Sequence, residues 1–336
     1  MSPHPAAVTY DAETTAAPSR TAELLASTAH DLVAAGATPQ SFLLPGSAAT
    51  VPDELREALG GVLTPLDRTS GWRRVRGLFA AFPEPGPTPA HWSAATGDRQ
   101  RPWDLGVILV SSVLGRLFGW TGQQDGRLVH NIVPSRGCET VQVGASSTTP
   151  LTWHNEDAFH PRRAELLMLA CVRNPDGVGT RAAGVRRAAV SEYHREQLRR
   201  PVVSILPDAS YPADAQDSTS RPRMSTMWPD SDGWCLRYDP AYSRLPEADP
   251  AFHDAYGALG EALEASAAEI GMEAGDVVLI DNDVAVHGRA PFRALYDGSD
   301  RWLKRSLIRL PRRRPDRERD EDGFGQALVG PAGDRW

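Results

Sequence analysis

Cysteine is scarce in this chain: Cys138, Cys171 and Cys235 are the three in 336 residues. An odd, widely spaced set excludes a disulfide framework and a thiolate zinc site, and points to reduced, buried thiols in a cytoplasmic protein. Positive charge is also short, with 36 Lys+Arg against 43 Asp+Glu and a net charge of -7. Nothing therefore argues for a nucleic-acid or membrane-surface partner. Long apolar runs are missing. The longest, 105–120, is too short to span a bilayer and carries Arg116. Residues 1–20 hold no apolar stretch with basic flanks, so no signal peptide is expected, and no internal repeat is apparent. What remains is a hydrophobic content of 41%, ordinary for a globular protein with a sizeable core.

Periodicity divides the chain. Residues 1–20 are small and polar and are expected to be flexible. Apolar spacing predicts helices over 21–35 and 52–63, and a long buried helix over 101–119. The Pro/Gly segment 83–89 reads as a loop. From 125 to 310 short apolar runs alternate with turns, as in an all-β core, with helical interruptions over 188–200 and 250–270. The polar stretch 207–233 is long for a loop in a compact domain, which suggests an active-site lid. Residues 314–336 form a charged tail. The expected organisation is one domain over 21–313.

Chemistry concentrates in Trp153-His154-Asn155-Glu156-Asp157-Ala158-Phe159, answered downstream by Val286-His287-Gly288. Two imidazoles and a carboxylate make the ligand set of a facial triad, which leaves iron positions open for cosubstrate and oxygen. A closed structural metal site would use four protein ligands. The spacing alone is weak, because composition predicts roughly one His-x-Asp/Glu by chance. His194-Arg195-Glu196 is such a decoy. It lies in a helix-forming run, where residues i and i+2 diverge. His154 instead follows the strand-like 148–153, and on a strand i and i+2 share a face. His287 follows the β-branched strand 275–282 and a turn at 281–283.

Further motifs accompany the triad: Thr88-Pro89-Ala90-His91-Trp92, Gly119-Trp120-Thr121-Gly122-Gln123-Gln124-Asp125-Gly126, 169–178, Leu236-Arg237-Tyr238-Asp239 and 275–305. Through these, residues 80–310 resemble the clavaminate-synthase-like branch of Fe(II)/2-oxoglutarate oxygenases, above all the arginine and enduracididine β-hydroxylases of peptide-antibiotic biosynthesis. The first 80 residues match only loosely.

The resemblance implies a mainly β fold with flanking helices, built on a double-stranded β-helix, or jelly-roll, core of cupin-like type. It implies His154, Glu156 and His287 as iron ligands. Arg301 falls on the arginine that pairs with the distal carboxylate of 2-oxoglutarate, helped by Thr180. Arg305 falls on the arginine for the substrate α-carboxylate, and Gln123 with Glu156 on the groups that meet its α-amine. Asp208 and Ser210 fall on lid positions, and Asp239 on a carboxylate near the substrate's far end. Two departures stand out. Ala241 occupies the place of a second aspartate, and Gly144 that of a serine near the substrate carboxylate. Met224, Met227, Trp228 and Trp234 rebuild the lid.

The implied reaction uses O2 and 2-oxoglutarate, released as succinate and CO2, to hydroxylate C3 or C4 of a free L-amino acid, one with a cationic side chain. Desaturation, or action on a neutral, modified or carrier-bound amino acid, is the alternative. A zinc hydrolase could use the same three ligands, and a degenerate binding jelly-roll would keep the fold without the chemistry.

Overall fold

A computed structural model describes residues 13–43, 51–63, 66–211, 222–311 and 328–330. The N-terminal part runs through β1 (Thr14–Ala16), α1 (Ser19–Ala34), α2 (Asp53–Leu63), β2 (Trp72–Arg76) and α3 (Arg101–Leu114). Strands β3 (Arg116–Trp120), β4 (Val129–Ile132), β5 (Leu151–His154), β6 (Leu166–Arg173) and β7 (Thr180–Gly184) follow. Next come α4 (Glu192–Leu198), β8 (Ser204–Ile205), β9 (Met227–Asp230), β10 (Gly233–Leu236), β11 (Ser243–Arg244) and α5 (Pro250–Ala265). The chain then passes through β12 (Ala268–Ile270), β13 (Val277–Asp281), β14 (Ala285–Arg289), β15 (Trp302–Arg309) and β16 (Leu328–Val329).

The strands form a large sheet, β1-β2-β13-β6-β15-β3-β16, with β4 also on β15, and a small sheet, β12-β7-β14-β5. The hairpin β9-β10 and the antiparallel pair β8-β11 stand apart from them. Side-chain alternation divides the apolar residues of the large sheet between two cores. On β6, Leu167, Leu169 and Cys171 pack with Ala182 and Val286 of the small sheet, while Leu166, Met168, Ala170 and Val172 pack under α1, α2 and α3. Strand β13 repeats the pattern, with Val278 and Ile280 inward and Val277 and Leu279 toward the helices. Both faces are covered, which is why these strands read as unbroken apolar runs. The two facing sheets are the expected jelly-roll.

Strand β15 uses the same alternation for charge. Arg301, Leu303 and Arg305 line the cavity between the sheets. Lys304 points the other way and is fully buried, its Nζ donating to Asp104 Oδ1 of α3 at 2.6 Å and to Asn131 Oδ1 of β4 at 3.0 Å. Ser306 meets Ser111 of α3 at 2.8 Å. One strand thus ties the helical layer to the cavity.

Several expectations need correction. The run 101–119 is not one helix: α3 stops at Leu114, and Arg116–Trp120 is a strand on β15. The break is Gly115, where a Cβ would lie 2.5 Å from the Arg309 carbonyl, so only glycine lets the chain pass that close to β15. The helix expected over 250–270 ends at Ala265, and Ala268–Ile270 pairs with β7. The N-terminal segment is structured from residue 13, since β1 pairs in parallel with β2. Of the charged tail, Leu328–Val329 pairs with β3. Of the expected lid, 227–230 and 233–236 form a regular hairpin, and 212–221 lie outside the described residues.

Breaking a buried ion pair leaves a lone charge out of water, which costs about 3–5 kcal/mol. Asp104→Ala should therefore lower unfolding stability by about that amount, whereas Glu54→Ala, which breaks the exposed Arg20–Glu54 pair, should cost under about 1 kcal/mol. Urea midpoints test this, and a similar small loss for both would contradict the structural role given to Lys304.

Candidate active site

The metal-ligand candidates meet because β5 and β14 are neighbours. His154 and His287 are direct cross-strand partners, and their ring centroids lie 4.1 Å apart. Glu156 follows β5 by two residues and turns its carboxylate to the same place, with Oε2 3.6 Å from His287 Nε2. One ligand atom from each of the three lies within 4.8 Å of the others, the one such group found among the described residues. Ligands bound at about 2.1 Å sit about 3 Å apart on an octahedral face, so the set fits one ion with modest contraction.

The surroundings prepare these groups. Nδ1 of His154 faces the Thr152 carbonyl at 2.9 Å, which fixes the proton there and leaves Nε2 as a lone-pair donor. Burial, then the neighbouring His287, pull the His154 pKa down to about 4, so the ring is neutral. Nδ1 of His287 is buried and has no hydrogen-bond partner among the described residues. Burial pushes Glu156 up, but Arg305 and the two histidines outweigh it and hold the carboxylate ionised. Gly288 is required beside His287, because a Cβ there would lie 2.6 Å from the Leu151 carbonyl of β5.

Asn282 and Asn155 brace the ligand strand from behind. The Asn282 side chain accepts from the Glu156 amide at 2.8 Å and donates to the Glu156 and Ala164 carbonyls. Asn155 donates to the Asn282 and Ala285 carbonyls. After Glu156 the backbone enters the left-handed region at Asp157, with φ 51°, a conformation that aspartate tolerates better than most residues. Its buried carboxylate accepts from Tyr211 Oη at 2.6 Å and Trp120 Nε1 at 2.9 Å. Burial, then Glu156, raise its pKa to about 7.

Besides the Arg305–Glu156 pair, the cavity holds like-charged neighbours: Arg289 with Arg301, and Asp208 with Asp239. Arg305, on β15 opposite His130 of β4, bonds Glu156 Oε1 and donates to His130 Nδ1 at 2.8 Å. Burial, then Arg305, hold His130 neutral with a pKa near 3. Arg301 donates to Thr180 Oγ1 at 3.1 Å. Burial brings Arg301 down to about 10, and burial with Arg301 alongside does the same to Arg289. Asp208 and Asp239 also line the cavity. Burial, then Asp208, push Asp239 up to about 8, and burial raises Asp208 as well.

Of the residues picked from sequence, His154, Glu156, Thr180, Asp208, Asp239, His287, Arg301 and Arg305 all line this one cavity. Gln123 does not, although it is buried and its Oε1 has no partner among the described residues. Ser210 is exposed and bonds Asp208 Oδ1 through both its amide and its hydroxyl. Met224 and Met227 belong to the core, while Trp228 and Trp234 stack on Arg163 and Arg195, so the lid aromatics are packing residues. The decoy sits on α4, where His194 meets Asp254 at 3.1 Å. Sequence reasoning missed His130, Tyr242 and Arg289. Arg289 follows His287 by two residues on a strand, and that spacing was its signal.

Comparison with known proteins agrees with this geometry. The model of the taurine catabolism dioxygenase TauD, TfdA family matches residues 110–307. The L-ornithine/L-arginine 3-hydroxylase of Catenulispora acidiphila is 34% identical over 257 residues, 70% of this chain and 75% of that protein. The enduracididine beta-hydroxylase of Streptomyces hygroscopicus is 37% identical over 227 residues, 61% of this chain and 66% of that one. The non-heme iron oxygenase OrfP, solved with Fe and alpha-ketoglutaric acid, superposes with a TM-score of 0.75 at 36% identity, covering 88% of this chain and 94% of that one. OrfP has also been solved with Fe and L-Arg.

A ligand that binds only the native state stabilises it by about 2.7 kcal/mol at a hundred times its Kd. Fe(II), or Mn(II) as a redox-silent stand-in, should stabilise the wild-type protein on this scale with one ion per chain. His287→Ala should abolish the gain, and equal stabilisation of that variant would place the metal elsewhere.

Proposed function

The chain belongs to the TauD/TfdA dioxygenase family, and on that premise we propose that it hydroxylates a free L-amino acid with a cationic side chain, at C3 or C4. The observation that carries this reading is the sorting of charge in one cavity. The triad shares it with Arg289 and Arg301, which pair with no carboxylate among the described residues, and with the neighbouring carboxyls of Asp208 and Asp239. The first suit the free carboxylate of 2-oxoglutarate, the second the side-chain cation of the substrate.

His154, Glu156 and His287 hold Fe(II) in this reading. With 2-oxoglutarate and O2, the iron supplies the oxidation of a C–H bond, and succinate and CO2 leave. Arg301, steadied by Thr180, holds the cosubstrate's distal carboxylate. Arg305 receives the substrate α-carboxylate, kept in orientation by His130. Glu156 suits the α-ammonium. Asp239 uses Oδ1 for the amides of Ala241 and Tyr242, and Asp208 uses Oδ1 for Ser210. Asp239 keeps its second oxygen for the substrate. Anchoring both ends fixes the middle carbons against the metal, the usual way a site converts binding into regioselectivity. In this reading the product is a building block of a peptide natural product, made in the cytoplasm. No helix among the described residues is long and apolar enough to cross a membrane.

Asp239, at about 8, is protonated in the empty site at neutral pH and must ionise to receive a cation. The sign follows: raising pH toward 8 favours the ionised form, so KM for a cationic amino acid should fall as pH rises from 6 to 8 and then level. KM for a neutral amino acid of equal length should not follow. Asp239→Asn should flatten the cationic profile and raise that KM by about tenfold or more. Identical profiles for the two substrates would contradict the cation assignment.

A further inference from the structure

We propose that Arg289 is a positioning residue for the cosubstrate, a second fixed positive charge that draws the distal carboxylate of 2-oxoglutarate toward Arg301; this rests on the reading above. Arg289 stands on β14 directly opposite Thr180 of β7. Thr180 in turn accepts from Arg301. All three line the cavity, so two guanidiniums and one hydroxyl gather at one end of it.

The partners of Arg289 tell contact from field. Nη1 donates to the Ala290 carbonyl at 2.8 Å and the Ser147 carbonyl at 3.4 Å. Nη2 donates to the Ser146 carbonyl and hydroxyl, each at 2.9 Å. The ring of Phe292 lies 4.7 Å from its Cζ. Every acceptor is neutral, so the hydrogen bonds are satisfied while the charge is not. A buried charge is retained at a cost of several kcal/mol unless a counterion meets it. Among the described residues no carboxylate forms an ion pair with Arg289 or Arg301. A ligand anion entering that end is the counterion that fits. With its main donors already committed to carbonyls, Arg289 acts on that anion through its field, and Arg301 makes the contact.

A purely structural role is the competing account, since the same bonds staple 146–147 to 289–292. The two accounts differ in which ligand feels the loss. Binding of 2-oxoglutarate and of 2-oxopentanoate, the same chain without the distal carboxylate, should be measured by calorimetry on the Fe(II)-loaded protein without O2. The expected result is that Arg289→Gln weakens 2-oxoglutarate by roughly tenfold, the scale of one partly screened charge, and leaves 2-oxopentanoate within about twofold. Arg289→Lys, which keeps the charge, should restore most of the difference and is the variant to read if the glutamine protein does not fold. Equal weakening of both ligands, or no weakening of 2-oxoglutarate, overturns the proposal. A wild-type protein that binds the two equally would instead sink the cosubstrate reading itself.

Discussion

The ionised carboxylate of Glu156 is the charge on which the rest of the cavity depends. It is buried, and burial alone would protonate it; Arg305, His287 and His154 keep it charged. Its field then reaches outward, raising Asp157, Asp208 and Asp239 and opposing the desolvation of His154 and His130. In a low-dielectric pocket such couplings act over several ångströms with little screening. A divalent ion bound to Glu156 would take up that negative charge. It would also leave Arg305 with less reason to face Glu156, and so more able to receive a substrate carboxylate. Metal and amino acid are coupled by this one side chain.

The fold supplies the precision. Direct pairing of His154 with His287 sets the two imidazoles by backbone register, and the amides of Asn155 and Asn282 hold the intervening turn. The alternation of β15 sends Arg301 and Arg305 into the cavity and Lys304 into the helical layer, so the strand that recognises anions is anchored by its own opposite face. Strands carry His154, His287, Thr180 and Arg305, while Glu156 and Arg301 stand within two residues of a strand end, and groups held on or next to strands are the ones that small displacements affect least. Only Asp208 comes from the stretch expected to be a lid.

Much of this was legible in the sequence, and the reasons are specific. Period-2 geometry pointed to the His-x-Glu pair and to 301 with 305, although β5 ends at His154 and Glu156 turns into the site from beyond the strand. The buried strand 277–281 announced itself as a β-branched apolar run. What stayed hidden has equally physical causes. The run 105–120 is apolar apart from Ser111, Ser112 and Arg116, so periodicity could not show that Gly115 ends the helix and starts a strand; the reason is a backbone approach to Arg309, distant in sequence. The pairing of Leu328 with Trp120 joins residues too far apart for any local pattern. The role of Arg289 depends on which acceptors surround it, and those come from 146–147. Gln123 matched a motif, yet the fold leaves it beside the cavity and not in it.

The most direct measurement is to incubate the protein with Fe(II), 2-oxoglutarate and O2 and supply L-arginine, L-ornithine, L-lysine or neutral amino acids singly, following succinate and amino acid by mass spectrometry. Gain of one oxygen by a cationic amino acid, matched one to one by succinate, is the predicted result. Matched hydroxylation of neutral amino acids alone, with the cationic ones leaving 2-oxoglutarate turnover unchanged, would contradict the account.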